Sequence, residues 1–251
     1  MTSNPAEQSS PSQSNQRLPA FKYLDVISVI FTLVLVLSNI ASSAKIIDWK
    51  LSIGKLPLAF DAGTLFFPVA YIFGDILTEV YGYQRSRRVI WLGFAGLTFS
   101  FLMFLLIRYM PGEASWEASV GQEAYDGVLG GFSMGGLAIA SILGYLGGSF
   151  SNAVVMAVMK YRTEGRQLWA RTIGSTIVGE FVDTFLFVLI ASLLDVFSWE
   201  LFWTLVVTNY IFKVLWEAVM TPATYMVTKW LKKTESADVY SNLNDLNPLK
   251  F

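Results

Sequence analysis

Long apolar stretches dominate the chain, at roughly 24–43, 58–81, 88–110, 132–159, 173–196 and 201–231. Each is long enough to supply the ~20 residues a helix needs to cross a ~30 Å hydrocarbon layer. Lipid leaves only helices and closed barrels able to satisfy their own backbone. These runs are continuous rather than alternating strands of about ten residues. The pattern therefore predicts an all-α integral membrane bundle of six transmembrane helices within residues 21–233. Residues 1–20 are rich in Ser, Gln, Asn and Pro, lack the apolar surface to offset ordering, and are expected to form a disordered tail. Residues 234–251 form a second polar tail, expected to lack fixed structure beyond a local turn. A long polar tail leading into a full-length span is not the layout of a signal peptide, so the first span is expected to be retained.

Polar residues interrupt these spans at helical spacing. The second carries Asp75 and Glu79, four apart, and the fifth carries Glu180 and Asp183, three apart, so each pair shares a helix face. The sixth carries Asn209, Lys213 and Glu217 at steps of four, the first has Asn39 and the fourth has Asn152. An ionised carboxylate near a bilayer centre costs on the order of 3 kcal/mol, so these acids must face protein, water or ligand. Asp75, Glu79, Glu180, Asp183 and Glu217 are five acids against one intramembrane lysine, Lys213. Lys213 has two kinds of partner open to it, Glu217 on its own helix or an acid on a neighbour. The acids of the second and fifth spans are expected to share one buried substrate or ion site.

Packing signals surround these groups. Gly136, Ala140, Gly144 and Gly148 form a ridge of small residues on the fourth span that leads to Asn152, a pattern suited to close helix contact. Pro68 and Pro222 are expected to interrupt the hydrogen-bond ladders of the second and sixth spans. Trp91, Trp169, Trp199 and Trp203 lie near span ends, where interfacial anchoring is the default. Gly74-Asp75 through Glu79 is echoed by Gly179-Glu180 through Asp183, and Ser38-Asn39 by Ser151-Asn152. Those echoes suggest two inverted three-helix repeats with a binding site at their interface.

Composition narrows the chemistry. Hydrophobic residues make up 54%, charged residues 15%, and mean hydropathy is +0.50, as expected of an integral membrane protein. A formal net charge of -1 gives no reason to expect a nucleic-acid partner. The absence of Cys and His removes disulfides, thiolate nucleophiles and the commonest metal ligand, so no catalytic residue, metal or cofactor is expected. Thirteen Lys and Arg residues fall on the side shared by both termini, against Lys45, Lys50, Lys55 and Arg108 on the other, with the acidic 111–131 loop among the latter. Both termini are therefore expected in the cytoplasm.

The segments SNIASSAKI in the first span, FDAGTLFFPVAYIFGDILTEVYGYQRSRR across the second, and GEFVDT in the fifth are distinctive. Over about residues 22–233 the chain resembles the queuosine-precursor transporter family, also described as vitamin-uptake transporters. The resemblance implies a six-helix protein that takes up 7-cyano-7-deazaguanine and 7-aminomethyl-7-deazaguanine across the bacterial inner membrane. With that substrate class, Glu79 or Glu180 suits the adjacent N–H donors of a guanine-like edge, because a carboxylate only accepts. Asp75 or Asp183 suits a cationic aminomethyl group. Phe67, Tyr71 or Phe181 suits stacking on the heterocycle, and Asn39 and Asn152 suit the ring carbonyl and amino groups. Lys213 completes the expected site. The implied partners are the deazapurine and the lipid bilayer, and a homodimer is compatible with both.

No phosphate loop is present, so energy for a secondary transporter comes from an ion or substrate gradient. An alternative is a substrate-binding membrane subunit for a vitamin-like molecule, energised by a separate ATPase complex. A remoter one is an intramembrane prenyl or lipid enzyme. Such enzymes hold a diphosphate through Asp-rich clusters and Mg²⁺, whereas the acids here are spread over three spans.

Overall fold

The computed structural model describes residues 21–53, 56–133 and 135–250. The tail expected at 1–20 lies outside the described residues. The bundle is built from α1 (Leu24–Ala44), α2 (Phe67–Ile76) continued by a π-helical turn (Leu77–Tyr81), and α3 (Tyr83–Arg108). Two short helices, α4 (Ala114–Ser119) and α5 (Gly121–Ser133), precede α6 (Gly136–Arg162), α7 (Leu168–Leu193) and α8 (Phe202–Glu235). Among the described residues, α1, α3, α6 and α7 are long and apolar enough to cross a membrane. Their outward faces carry exposed Val29, Leu33, Phe99 and Leu106, and α8 adds Leu215, Val219 and Met226. Acyl chains are as apolar as these side chains, so no force drives them inward.

Three expectations need correction. The second span does not begin near residue 58: β1 (Ile46–Ile53) and β2 (Leu56–Asp61) pair antiparallel there, with Ile46 opposite Asp61 and Ile53 opposite Leu56. β2 is largely apolar in sequence and only the short 3-10 turn Ala62–Leu65 and Phe66 separate it from α2, so hydropathy alone merged them. Pro68 lies in the first turn of α2, where its missing N–H costs nothing and breaks no ladder, whereas Pro222 lies inside α8 and leaves one ladder bond unmade without ending the helix. The segment read as the 111–131 loop holds α4 and α5, tied back to α3 by a two-point Arg108–Asp126 contact at 2.9 Å and by Tyr125 donating to Phe104 O at 3.0 Å.

The C-terminal tail is also not loose. Residues 237–248 run as a strap across one end of the bundle. Val239 N donates to Val80 O at 3.2 Å, and Ser241 Oγ accepts from Tyr83 N at 2.8 Å, so the strap caps the first turn of α3. Tyr83, Arg87 and Trp91 then donate to the carbonyls of Leu246, Asn247 and Pro248 at 2.9, 2.7 and 2.9 Å. Trp91 thus pins the strap, beyond any anchoring role. Gly82 turns the chain into α3 at φ 82°, and a Cβ there would come 2.9 Å from Val239 Cγ1. A side chain at Gly82 would both strain the turn and push the strap away.

Other helix ends meet beneath the same strap. Glu235 at the end of α8 accepts from Lys22 N at 2.9 Å, Tyr23 N at 2.7 Å and Tyr81 Oη at 3.1 Å, which supplies α1 with the cap its own sequence lacks. Because α1, α3 and α7 start at this end while the α2 turn, α6 and α8 finish there, the segments alternate in direction. Ile27, Phe31, Leu35, Ile76, Val80 and Leu97 fill the core among α1, α2 and α3.

Candidate functional site

The face of α7 toward the bundle is polar along its length: Arg171, Thr172, Ser175, Thr176, Gly179, Glu180, Asp183 and Thr184 are all buried. The i, i+4 repeat of this stripe brings Glu180 and Asp183 inward, and α6 can approach because its ridge is small. A Cβ built on Gly148 would lie 2.5 Å from Asp183 Cβ and 3.0 Å from Gly179 O, and one built on Gly179 would lie 2.7 Å from Asn152 Cβ. Any side chain at either glycine would force α6 and α7 apart.

This close packing assembles an acid cluster among α2, α6, α7 and α8. Asn152 Nδ2 donates to Asp75 Oδ1 at 2.8 Å, with Ser175 Oγ at 3.5 Å from the same oxygen. Lys213 of α8 donates to Asp183 Oδ2 and lies 3.2 Å from Glu180 Oε2. Its ammonium also stands 5.1 Å from the centre of the Phe67 ring. Tyr71 is within electrostatic reach of Asp183, Glu180 and Glu217, and Glu217 is within reach of Asp75 and Glu180. Lys213 therefore pairs across to α7 and not with Glu217 on its own helix. Asp75, Asn152 and Glu180 are at most 2% exposed, yet Asp75 Oδ2, Asn152 Oδ1 and Glu180 Oε2 accept no aligned hydrogen bond among the described residues. The Glu180 oxygen is paired in charge by Lys213 without hydrogen-bond alignment. The cluster has acceptors to spare, alongside the unpartnered Thr172, Thr176 and Thr184 hydroxyls on the same face of α7, so it can take the N–H donors of a ligand. Among the described residues no three Asp or Glu side chains are grouped to hold a metal ion.

Three expected site residues are placed otherwise. Glu79 lies on the π-helical turn, fully buried, with both oxygens taken. Arg171 reaches them through Nη2 at 2.7 Å and Nε at 3.2 Å, and Lys232 Nζ is 2.6 Å from Oε1. Lys160 Nζ sits 3.9 Å from Glu79 Oε1 and donates to its backbone carbonyl at 2.6 Å. The surplus of acids over one lysine is thus smaller than the spans suggested, because three cations from span ends serve Glu79. Asn39 bridges α1 to α6: its amide donates to Leu35 O at 2.9 Å and its oxygen accepts from Ser141 Oγ. Phe181 is 48% exposed on the outer face of α7, stacked on Phe185, and is not beside the acids.

The cation network joins the strap. Lys160 donates to Asp238 Oδ1 at 2.5 Å and to Val239 O at 2.9 Å, while Lys232 lies 2.8 Å from the same Asp238 oxygen. Burial pushes the Asp238 carboxyl up, but hydrogen bonds from Lys160 and Lys232 outweigh it and hold the group below the usual carboxylate range. Arg171, Lys160 and Lys232 are the residues around the acids that sequence reasoning left out. The signal for Arg171 was present in the polar stripe of α7, which extends past the expected start of that span.

The chain matches the family model described as "Putative vitamin uptake transporter" over residues 61–227. That range contains Asp75, Glu79, Asn152, Glu180, Asp183, Lys213 and Glu217. The chain is 28% identical over 178 residues, 69% of its length and 71% of the relative's, to the "Probable queuosine precursor transporter" of Bacillus subtilis. No solved structure matches it. A multi-pass apolar bundle enclosing a buried polar cluster agrees with these matches, and the chain belongs to the vitamin uptake transporter family, a membrane transporter and not an enzyme.

Proposed function

We propose that the protein imports 7-deazaguanine precursors of queuosine, the 7-cyano and 7-aminomethyl forms, across a bacterial inner membrane as a secondary transporter. In this reading α1 to α3 and α6 to α8 are six spans in two inverted repeats, and the strap end faces the cytoplasm with both termini. The opposite running directions of the two triplets and the basic residues gathered at the strap end support that arrangement. The relative in Bacillus subtilis carries the same substrate class in its name.

The observation that carries the reading is the set of unmatched oxygens on Asp75, Asn152 and Glu180. A guanine-like edge presents neighbouring N–H donors, and acceptor-only groups match two of them at once. Glu180 is the acceptor for that edge, in preference to Glu79, whose oxygens already serve Arg171 and Lys232. Asp75 and Asp183 then serve a cationic substituent, Asn152 serves the ring carbonyl or amino group, and Phe67 and Tyr71 flank the heterocycle. Lys213 keeps the α7 acids from repelling one another while the site is empty.

Competition for uptake of labelled precursor tests this. Guanine-like 7-deazapurines are expected to compete roughly tenfold to a hundredfold better than adenine-like ones, the equivalent of leaving a buried acceptor unmatched at about 1–3 kcal/mol. Glu180→Gln should erase most of that preference. Equal competition by both bases would refute the assignment. Uptake by the purified chain alone in liposomes is expected, whereas a requirement for added ATPase subunits would favour the energised-complex reading.

A further inference from the structure

Glu217 stands on α8, one helical turn beyond Lys213, and is 2% exposed. Neither carboxylate oxygen meets a hydrogen-bond partner among the described residues. The charged groups in its reach are Asp75 from α2 and Glu180 from α7, both acids. The nearest cation along its own helix, Lys213, is committed to Asp183 and Glu180. From α2 the Tyr71 phenol is also within electrostatic reach. Glu79, on the π-helical turn that α8 also touches, is neutralised by Arg171 and Lys232.

Each other acid of the cluster has an answer to its charge: Asp75 has Asn152 and Ser175, Glu180 and Asp183 have Lys213. Glu217 has none. A carboxylate without donor or counter-charge, beside two acids in a low-dielectric interior, is out of electrostatic balance unless it takes up a cation of its own. A proton fits where nothing larger is grouped to be held, because it needs one oxygen and no ligand shell. We propose that Glu217 is the proton-binding site that couples substrate movement to a proton gradient. The assignment rests on the secondary-transporter reading above and adds the residue that carries the ion. Hydronium from the outer phase gives up H⁺ to a carboxylate oxygen, leaving water and forming the O–H bond. When the site opens inward that bond breaks, the proton passes to water, and the carboxylate is restored.

The test uses the full chain in liposomes with labelled 7-aminomethyl-7-deazaguanine. With one proton per substrate, a gradient of about one pH unit sustains roughly tenfold accumulation. Glu217→Gln is expected to abolish that accumulation while retaining substrate exchange at equal pH. Glu217→Asp keeps an ionisable group one methylene shorter and should retain accumulation with a shifted pH profile. Infrared spectra of purified, substrate-free protein read the proton directly: the protonated-carboxyl band should lose intensity in Glu217→Gln. Wild-type accumulation in Glu217→Gln would overturn the proposal, as would an unshifted profile in Glu217→Asp or an unchanged carboxyl band. Loss of exchange together with accumulation in folded Glu217→Gln would make the residue a substrate ligand instead. Accumulation driven only by sodium would replace the proton with a metal cation. Failure of the wild type to exchange the deazaguanine at all would sink the substrate reading, while the infrared arm would still judge Glu217.

Discussion

Arg171 Nη2 lies 2.7 Å from Glu79 Oε1, and neither side chain has any exposed surface. A buried pair of this kind adds little over an apolar pair of the same shape, but removing one partner strands the other. Arg171→Met is therefore expected to destabilise the protein by about 3 kcal/mol, softened by Lys232 and Lys160. Arg171→Lys should recover part of the loss, since it keeps the charge without the two-point fork. The double variant Arg171→Met with Glu79→Gln should be more stable than Arg171→Met alone. Thermal denaturation in detergent measures all three, and a double variant no better than the single would refute the argument.

Lys213 neutralises two acids, so its loss differs from theirs. Lys213→Met leaves Asp183 and Glu180 facing each other, and is expected to cost roughly 3 kcal/mol of stability as well as transport. Adding Asp183→Asn should return a large part of the stability. Uptake and melting temperature measured side by side would separate the two effects.

Gly148→Ala places a methyl group 2.5 Å from Asp183 Cβ, on a helix pair with no room to part. An overpacking penalty of about 1–3 kcal/mol and a misplaced Asp183 are expected. Gly127→Ala, in α5 with nothing within 4 Å of the added carbon, should instead be neutral or slightly stabilising. If both variants melted alike, helix proximity would not be the reason for the glycine ridge.

The strap should respond to acid in one direction only. Asp238 is held below its ordinary range when docked, and an exposed aspartate titrates near ~3.9, so docking gains its electrostatic support fully above about pH 4. That support is lost as pH falls through the lower, docked value. The chain contains no native cysteine, so a single nitroxide at Leu249→Cys reports strap mobility without interference. Its spectrum is expected to stay restricted between about pH 5 and 8 and to sharpen only under strong acid. Sharpening near neutral pH would point to another group.

The acid cluster was legible because its cause is periodic. Asp75, Glu180 and Asp183 sit on helix faces that hydropathy forbids to lipid, and the Gly144–Gly148–Asn152 ridge names the neighbour that covers them. The partners of Glu79 were not legible. Lys160, Arg171 and Lys232 fall one or two residues outside spans drawn at 159, 173 and 231, where a basic residue reads as a sign of topology. Their long side chains lean back into the bundle, and that direction depends on a carboxylate far away in sequence. The strap was hidden for the same reason. Its polar residues have no period, and its hold comes from Tyr83, Arg87 and Trp91, some 160 positions earlier.

The clasp of Glu235 on Lys22 and Tyr23 sets the order in which the protein can be made. The first helix enters the membrane with two amides whose acceptors have not yet been translated, and it must wait while every intervening helix is synthesised. Insertion can proceed helix by helix, but the clasp forms only once the end of α8 has left the ribosome. An unfinished chain released before Glu235 is a set of inserted helices whose first member has no acceptor for the amides that lead into it.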